Sequence, residues 1–413
     1  MLTFSSLINS FAILALLLGL GLLLTKITEK PRIPDVVVFL LMGILLGSQV
    51  LHVIDVPQVS LVNQWILTMG AIIILFDGGR QVSLSILSKT WLTVTLLSTV
   101  GVVITALVLA ITAQNLFHLS FSDALLLGAV LSSTDPATLI PVFRRVPVIA
   151  RLGQTLEAES AFNDATAAVL VVSIVHSLMG KSLTVTYLIS HFVLNAGIGI
   201  AVGFVVGFIS LHLITQAKSG FLREYASIVI FLCAMGAYLL ATVWDGSGFM
   251  ATFVAGIVTG NEKSFRADLH ALTKEHVNHF FSALGLVFRI LIFMLLGSQV
   301  VFASMVPNIG SLFLIVLVLM FVARPLTVLT SVLPDRRAKF KLPEILLMSW
   351  VRETGVLPAA LSGMLVASHV PKAMLIESVT FLAILMTILI QATSMPYVAQ
   401  KLKVTVPFVE EEI

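Results

Sequence analysis

The chain has 413 residues, of which 58% are hydrophobic and 11% charged. A soluble domain carries about 25% charged residues, so this composition excludes an ordinary water-soluble globule. The net charge of +3 is small, and the single cysteine, Cys233, excludes an internal disulfide. Residues 1–10 hold no basic segment, so no cleaved signal peptide is expected.

Apolar runs long enough to cross about 30 Å of hydrocarbon recur from end to end. In chain order they predict thirteen helical spans, near residues 8–26, 34–51, 62–79, 90–114, 122–143, 155–179, 186–215, 225–243, 248–260, 279–301, 310–333, 342–367 and 374–399. The ~10-residue alternating segments of a β-barrel are absent. The fold class is therefore all-α and polytopic. Of 24 Lys and Arg residues, nineteen fall on one side of this alternation and only Lys181 and Lys372 on the other. The positive-inside rule then puts the N-terminus outside and the C-terminus in the cytoplasm. No stretch reads as a linker or a soluble domain, so residues 1–413 form one membrane domain.

Thirteen spans divide as six, one and six, which makes the two halves inverted repeats, an arrangement common in secondary transporters. The fifth member of each half is interrupted. Span five contains "SSTDPATLIPVF" (132–143), with Asp135 before Pro136. Span twelve contains "VRETGVLP" (351–358), with Arg352, Glu353, Gly355 and Pro358. Proline removes a backbone donor and unwinds a helix locally, and the freed groups need polar partners. Paired interruptions at corresponding positions predict a binding site between broken helices. A carboxylate in mid-bilayer costs at least ~2.5–3.5 kcal/mol and marks a functional site.

Span six opens with "LEAESAFNDATAAVL" (156–170). Ser160 and Asp164 are four apart and share one helix face; Glu159 and Asn163 share the adjacent stripe. Asp164 and Asp135 lie at similar depths from the cytoplasmic side, ~13 Å by the helical rise for Asp164. Asp135, Asp164, Ser160 and Thr134 supply the oxygen ligands that hard monovalent cations favour. One site that takes either a proton or a cation, with alternating access, makes an antiporter. Glu159 is expected to pair with Arg352. Two other arginines, Arg289 and Arg324, also sit inside spans.

These motifs carry a resemblance. "STDPATLIPVF" followed by "ESAFNDATA", with "LFDGG" in span three and "VARP" in span eleven, resembles the monovalent cation–proton antiporters, in the bacterial and archaeal sodium/proton branch related to animal sodium/proton exchangers. The resemblance covers essentially the whole chain. It implies a homodimer in the cell membrane of a prokaryote, with spans 4–6 and 11–13 as a core and spans 1–3 and 7–10 as a dimerisation domain. It implies that Asp164 carries the cation and the proton, that Asp135 and Thr134 help form the site, and that Ser160 coordinates. It makes Asn163 a mark of the electroneutral branch, and Glu159 with Arg352 a buried ion bridge. No cofactor and no nucleic acid is implied.

Two departures stand out. Asp77 occupies a position where many relatives have glutamate, one methylene longer, so its carboxylate reaches less far toward the ion. Glu353 is an extra acid, open to pairing with Arg324 or Arg289 or to altering the cation path. Na⁺ leads the candidate cations, with K⁺ and Li⁺ open and a K⁺-selective antiporter as the alternative. An ion channel and an intramembrane hydrolase are more remote. The hydrolase reading rests on Ser247 in "WDGSGF" (244–249), where Gly-Ser-Gly reads more simply as a turn. The G-x-x-x-G spacings Gly43–Gly47 and Gly199–Gly203–Gly207 permit close helix packing, inside one protomer or between two.

Overall fold

A computed structural model describes residues 4–28, 35–135, 146, 148–180, 185–215, 222–265, 267, 269, 271–300, 302–335 and 337–406. Pro136 and the second half of span five lie outside these residues. So do Lys30, Arg32, Arg144, Arg145, Lys181, Lys218, Arg266 and Arg336 among the basic loop positions.

Among the described residues nine helices are long and apolar enough to cross a membrane, and four shorter apolar helices accompany them, which together match the thirteen expected spans. In chain order the helices are α1 (Phe4–Thr28), α2 (Asp35–Leu46), α3 (Leu61–Gln81), α4 (Leu84–Ser98), α5 (Val100–Phe117), α6 (Phe121–Val130), α7 (Ala150–Gly180), α8 (Val185–Thr215) and α9 (Ala226–Val243). Then come α10 (Gly248–Gly260), α11 (Ala271–Ser298), α12 (Ile309–Val318), α13 (Arg324–Val332), α14 (Leu342–Trp350), α15 (Val356–Ala367), α16 (Ala373–Met386) and α17 (Thr393–Lys401). Among the described residues the β structure is one isolated bridge, Val148 with Thr405.

Several spans are bent for identifiable reasons. The fourth runs through α4 and α5 and breaks at Thr99, where Ser98 and Thr99 hydroxyls donate back to the Val94 and Thr95 carbonyls. The eleventh passes from α12 to α13 through a wide π turn, Leu319–Ala323, just ahead of Arg324 and Pro325. A second π turn, Thr387–Ala392, joins α16 to α17, which contains Pro396. Proline lacks the amide that would continue the helical ladder, and a π turn absorbs the slip in register. The expected interruption of span twelve is present: Val351–Gly355 is non-helical between α14 and α15.

Two groups of helices result. In one, α10 packs on α3, α8 and α9, while α11 packs on α2 and α3. In the other, α4 and α6 pack on α7, α5 on α6 and α13, and α16 on α12 and α15. They meet along a seam where α15 touches α3 and α11, and α7 touches α3, α8 and α10. Both small-residue stripes serve packing inside this chain. A Cβ on Gly43 would stand 2.3 Å from the Met294 carbonyl oxygen, and one on Gly203 2.2 Å from that of Ala251. Ser247 caps α10 by accepting a hydrogen bond from the Met250 amide (3.2 Å), as the turn reading expects.

Candidate functional site

The site forms where two non-helical stretches cross beside α7. Helix α6 stops at Val130, and Ser132–Asp135 continues without helical structure. The Asp135 amide donates to the Glu353 carbonyl at 2.9 Å, which ties the two interrupted segments together. Gly355 is required there. A Cβ on it would lie 2.0 Å from Asp135 Oδ2, so the Asp135 carboxylate occupies the space of the missing side chain. Free backbone groups at such a crossing find partners in protein because no water is at hand.

Helix α7 presents the expected face to this crossing. The Thr134 amide donates to Asn163 Oδ1 (3.1 Å), and Asn163 Nδ2 donates to Thr134 Oγ1 (2.7 Å). Thr134 Oγ1 shares a hydrogen bond with Ser160 Oγ at 2.8 Å. The Ser133 hydroxyl donates to Asp164 Oδ1. Ser133, Thr134, Asp135, Ser160, Asn163 and Asp164 are all buried, the most exposed of them, Asp164, at 4%. The crossing therefore gathers two carboxylates, three hydroxyls and an amide in a space closed to bulk water. That donor set can hold a proton or a desolvated monovalent cation.

The expected ion bridge is corrected. Glu159 pairs with Arg324, not Arg352: Arg324 Nη1 and Nη2 take the two Glu159 oxygens, the second at 3.0 Å, and Nε donates to the Met348 carbonyl at 2.9 Å. Arg324 opens a helix directly after a π turn, so its side chain reaches α7 as a flat, two-pronged donor. Arg352 lies on the unwound stretch and donates Nη2 to the Leu131 carbonyl at 2.5 Å. That carbonyl ends α6, where the helix dipole favours a cation.

The secondary charges separate. Glu353 is fully buried, and among the described residues neither carboxylate oxygen accepts a hydrogen bond from another residue. Its two open partners are engaged elsewhere: Arg324 by Glu159, and Arg289 by Asp35 at 3.6 Å, where both side chains are partly exposed. Arg289 is thus a partly exposed residue of α11 and not a fully buried charge of the site. Asp77 does not join the cluster either. It takes Arg80 at 3.3 Å and Gln81 Nε2 at 2.9 Å, and lines a separate polar cavity of about 340 Å³ with Arg80, Glu262, Lys274 and Asn278. Asp77 lies in the last turn of α3, where these i+3 and i+4 neighbours are within easy reach.

Two residues absent from the sequence reading matter. Ser133 holds Asp164, and which way it points could not be read because an unwound segment has no periodicity. Glu377 is a buried acid inside the last span, hydrogen-bonded to Gln58. Its signal was available, since a lone acid in an apolar run is functional by default.

Comparison with known proteins resolves the family. Residues 12–401 match the sodium/hydrogen exchanger transmembrane family. The chain belongs to that family. The exchanger is 30% identical to the K⁺/H⁺ antiporter NhaP of Alkalimonas amylolytica over 96% of its own length and 67% of the relative's. It is 29% identical to the probable Na⁺/H⁺ antiporter 2 of Methanocaldococcus jannaschii, over 92% of this chain and 94% of that one. Its fold superposes on the sodium proton antiporter MjNhaP1 of Methanocaldococcus jannaschii at pH 8 with a TM-score of 0.84 and 29% identity, covering 96% of this exchanger and 99% of that chain. The protein is a cation/proton antiporter and a transporter, not an enzyme.

Proposed function

We propose that this exchanger swaps one monovalent cation, Na⁺ first among the candidates, for one proton at the Asp164 cluster. Asp164 is the carrier: it gives up its proton when the cation arrives and takes one back when the cation leaves. Ser133, Thr134, Ser160 and Asp135 supply the remaining oxygens, and Asn163 orients Thr134. Glu159 and Arg324 brace the site as a buried pair. Asp77 lies off the site, in the cavity it shares with Arg80.

The observation that carries the reading is the burial of Asp164 and Asp135 at the crossing of two interrupted segments. A charge there is tolerable only with a counter-charge or a proton, and exchanging one for the other is antiport. Alternating access moves one helix group against the other across the seam, with spans 4–6 and 11–13 as the moving core and spans 1–3 and 7–10 as the scaffold of a homodimer. The protein sits in the cell membrane of a prokaryote, N-terminus outside and C-terminus in the cytoplasm, as the basic-residue asymmetry supports. The K⁺-selective alternative is favoured by the relative named a K⁺/H⁺ antiporter.

The test is a proteoliposome assay with an acidic lumen and a pH-sensitive dye, pulsed with Na⁺, K⁺ and Li⁺ in turn. Na⁺ is expected to dissipate ΔpH at the lowest concentration. A response to K⁺ alone would move the assignment to the alternative, and no response to any of the three would overturn it.

A further inference from the structure

The buried acid Glu377 lies on α16, near its start and far from the Asp164 cluster in sequence. Its nearest cation in the chain is Lys372, on the face poor in Lys and Arg. Glu377 Oε2 accepts a hydrogen bond from Gln58 Nε2 at 2.8 Å, and Oε1 is buried with no hydrogen-bond partner among the described residues. Gln58 belongs to the connection between α2 and α3, in the other helix group. It is held there by a chain of amides: Asn63 Nδ2 donates to the Gln58 carbonyl (2.8 Å), and Gln299 Nε2 donates to Asn63 Oδ1 (3.2 Å) and to the Val56 carbonyl (3.1 Å). These residues all come from the ends of α3 and α11 and the loop before α3, so the network is rigidly one side of the seam. Deeper along the same seam the contacts are soft, Thr68 to the Met364 sulfur at 3.5 Å and Leu67 against Gly363.

We propose that Glu377 and Gln58 form a latch that closes the seam on the Lys-poor face and must open once in every transport cycle. This rests on the alternating-access reading above and names where the movement shows. Two features make the contact a latch and not a fixed brace. Among the described residues a single side-chain hydrogen bond joins the amide network to α16, so separation breaks one bond and not a cluster. The second Glu377 oxygen is unsatisfied while the seam is shut, and water would satisfy it on opening, so the closed contact is weakly held. Interfaces of this kind switch between two arrangements and do not deform continuously.

The test uses the full chain with Cys233→Ala, which leaves no other cysteine. Gln58→Cys with Glu377→Cys is reconstituted and bridged with a short bis-methanethiosulfonate. Exchange is expected to fall about tenfold or more on bridging, as for any gating step that is pinned, and to recover on reduction. Asn63→Cys with Gln299→Cys, bridged within the network on one side of the seam, is expected to keep its exchange. Undiminished exchange by the bridged Gln58–Glu377 protein would overturn the latch, as would failure to bridge in a protein that exchanges normally. Should the double variant not fold, Gln58→Ala serves: the apparent KM for the cation offered on the Lys-poor face is expected to fall, and an unchanged KM there would overturn the proposal. Loss of exchange in the unsubstituted protein would instead sink the functional reading itself.

Discussion

At the scale of single residues, burial decides which charges matter. Asp164 accepts a hydrogen bond from the neutral Ser133 hydroxyl, and among the described residues no arginine pairs with it. It is therefore free to take either a proton or a cation, whereas Glu159 is committed to Arg324. Asp164→Asn is expected to abolish exchange while the protein still inserts and elutes as the wild type does. A well-folded mutant that kept half or more of the ΔpH response would end the assignment. For the pair, Glu159→Ala and Arg324→Ala are each expected to cost ~3–5 kcal/mol, because each strands a buried charge. The double variant should lose much less than the sum of the two. Additive losses in thermal unfolding in detergent would show that the bridge contributes nothing as a pair, and Arg352→Ala combined with Glu159→Ala is the matched control.

At the scale of elements, the interrupted helices depend on the absence of a side chain. Gly355→Ala must displace Asp135, since the new methyl would overlap its carboxylate. Stability is expected to drop by ~1–3 kcal/mol, the usual cost of overpacking, with a larger loss in exchange rate than in expression. Wild-type exchange by Gly355→Ala would mean that Asp135 has room to move without consequence. The connection between α13 and α14 gives a pH prediction. Burial alone would raise the Asp335 carboxyl, but hydrogen bonds from the Thr93 hydroxyl (2.7 Å) and from the Ala338, Arg337 and Thr93 amides outweigh it and hold it below the usual carboxylate range. A carboxyl lowered in the folded state stabilises fully above its unfolded range, and that contribution is lost as pH falls through the folded value. Acid should thus loosen the tie between α4 and this connection. Asp335→Asn is expected to lower the melting temperature at neutral pH and to flatten its decline in acid; parallel wild-type and mutant curves would refute the linkage.

At the scale of the whole molecule, the number of titrating groups in the site sets the electrical behaviour. Asn163 cannot titrate, and Asp77 is ion-paired outside the cluster. On the proposed reading Asp135 stays charged at the helix break throughout the cycle, so with Asp164 as the one carrier a proton leaves as a cation enters and no net charge crosses. A potential does work of about 2.3 kcal/mol per charge per 100 mV, so a neutral cycle should not feel it. Exchange of Na⁺ is expected to run at the same rate in proteoliposomes clamped at different potentials with valinomycin and K⁺, after K⁺ transport has been checked. A severalfold change with potential, or a transient current that reverses with the ion gradient, would show a second charge, and buried Glu353 would be the first residue to neutralise.

The amino-acid sequence by itself determined most of the spans, because hydrocarbon thickness demands long apolar runs; the ninth, 248–260, is short and leaves the weakest mark. It also determined that span twelve breaks at "VRETG", and that Ser160, Asn163 and Asp164 share a surface of span six, since helical spacing is enough to say which residues are neighbours on one helix. Only the tertiary structure decided who meets whom between helices. Glu159 and Arg324 are 165 positions apart, and no local rule prefers Arg324 over Arg352. The same holds for Gln58 and Glu377, 319 positions apart. Asp77 was drawn away by Arg80 and Gln81 on its own helix, and the glycine stripes turned inward because the Met294 and Ala251 backbones lie against them. Periodicity reports which way a side chain leaves a helix; it carries no information about the partner that waits there, and none at all where the helix has come undone.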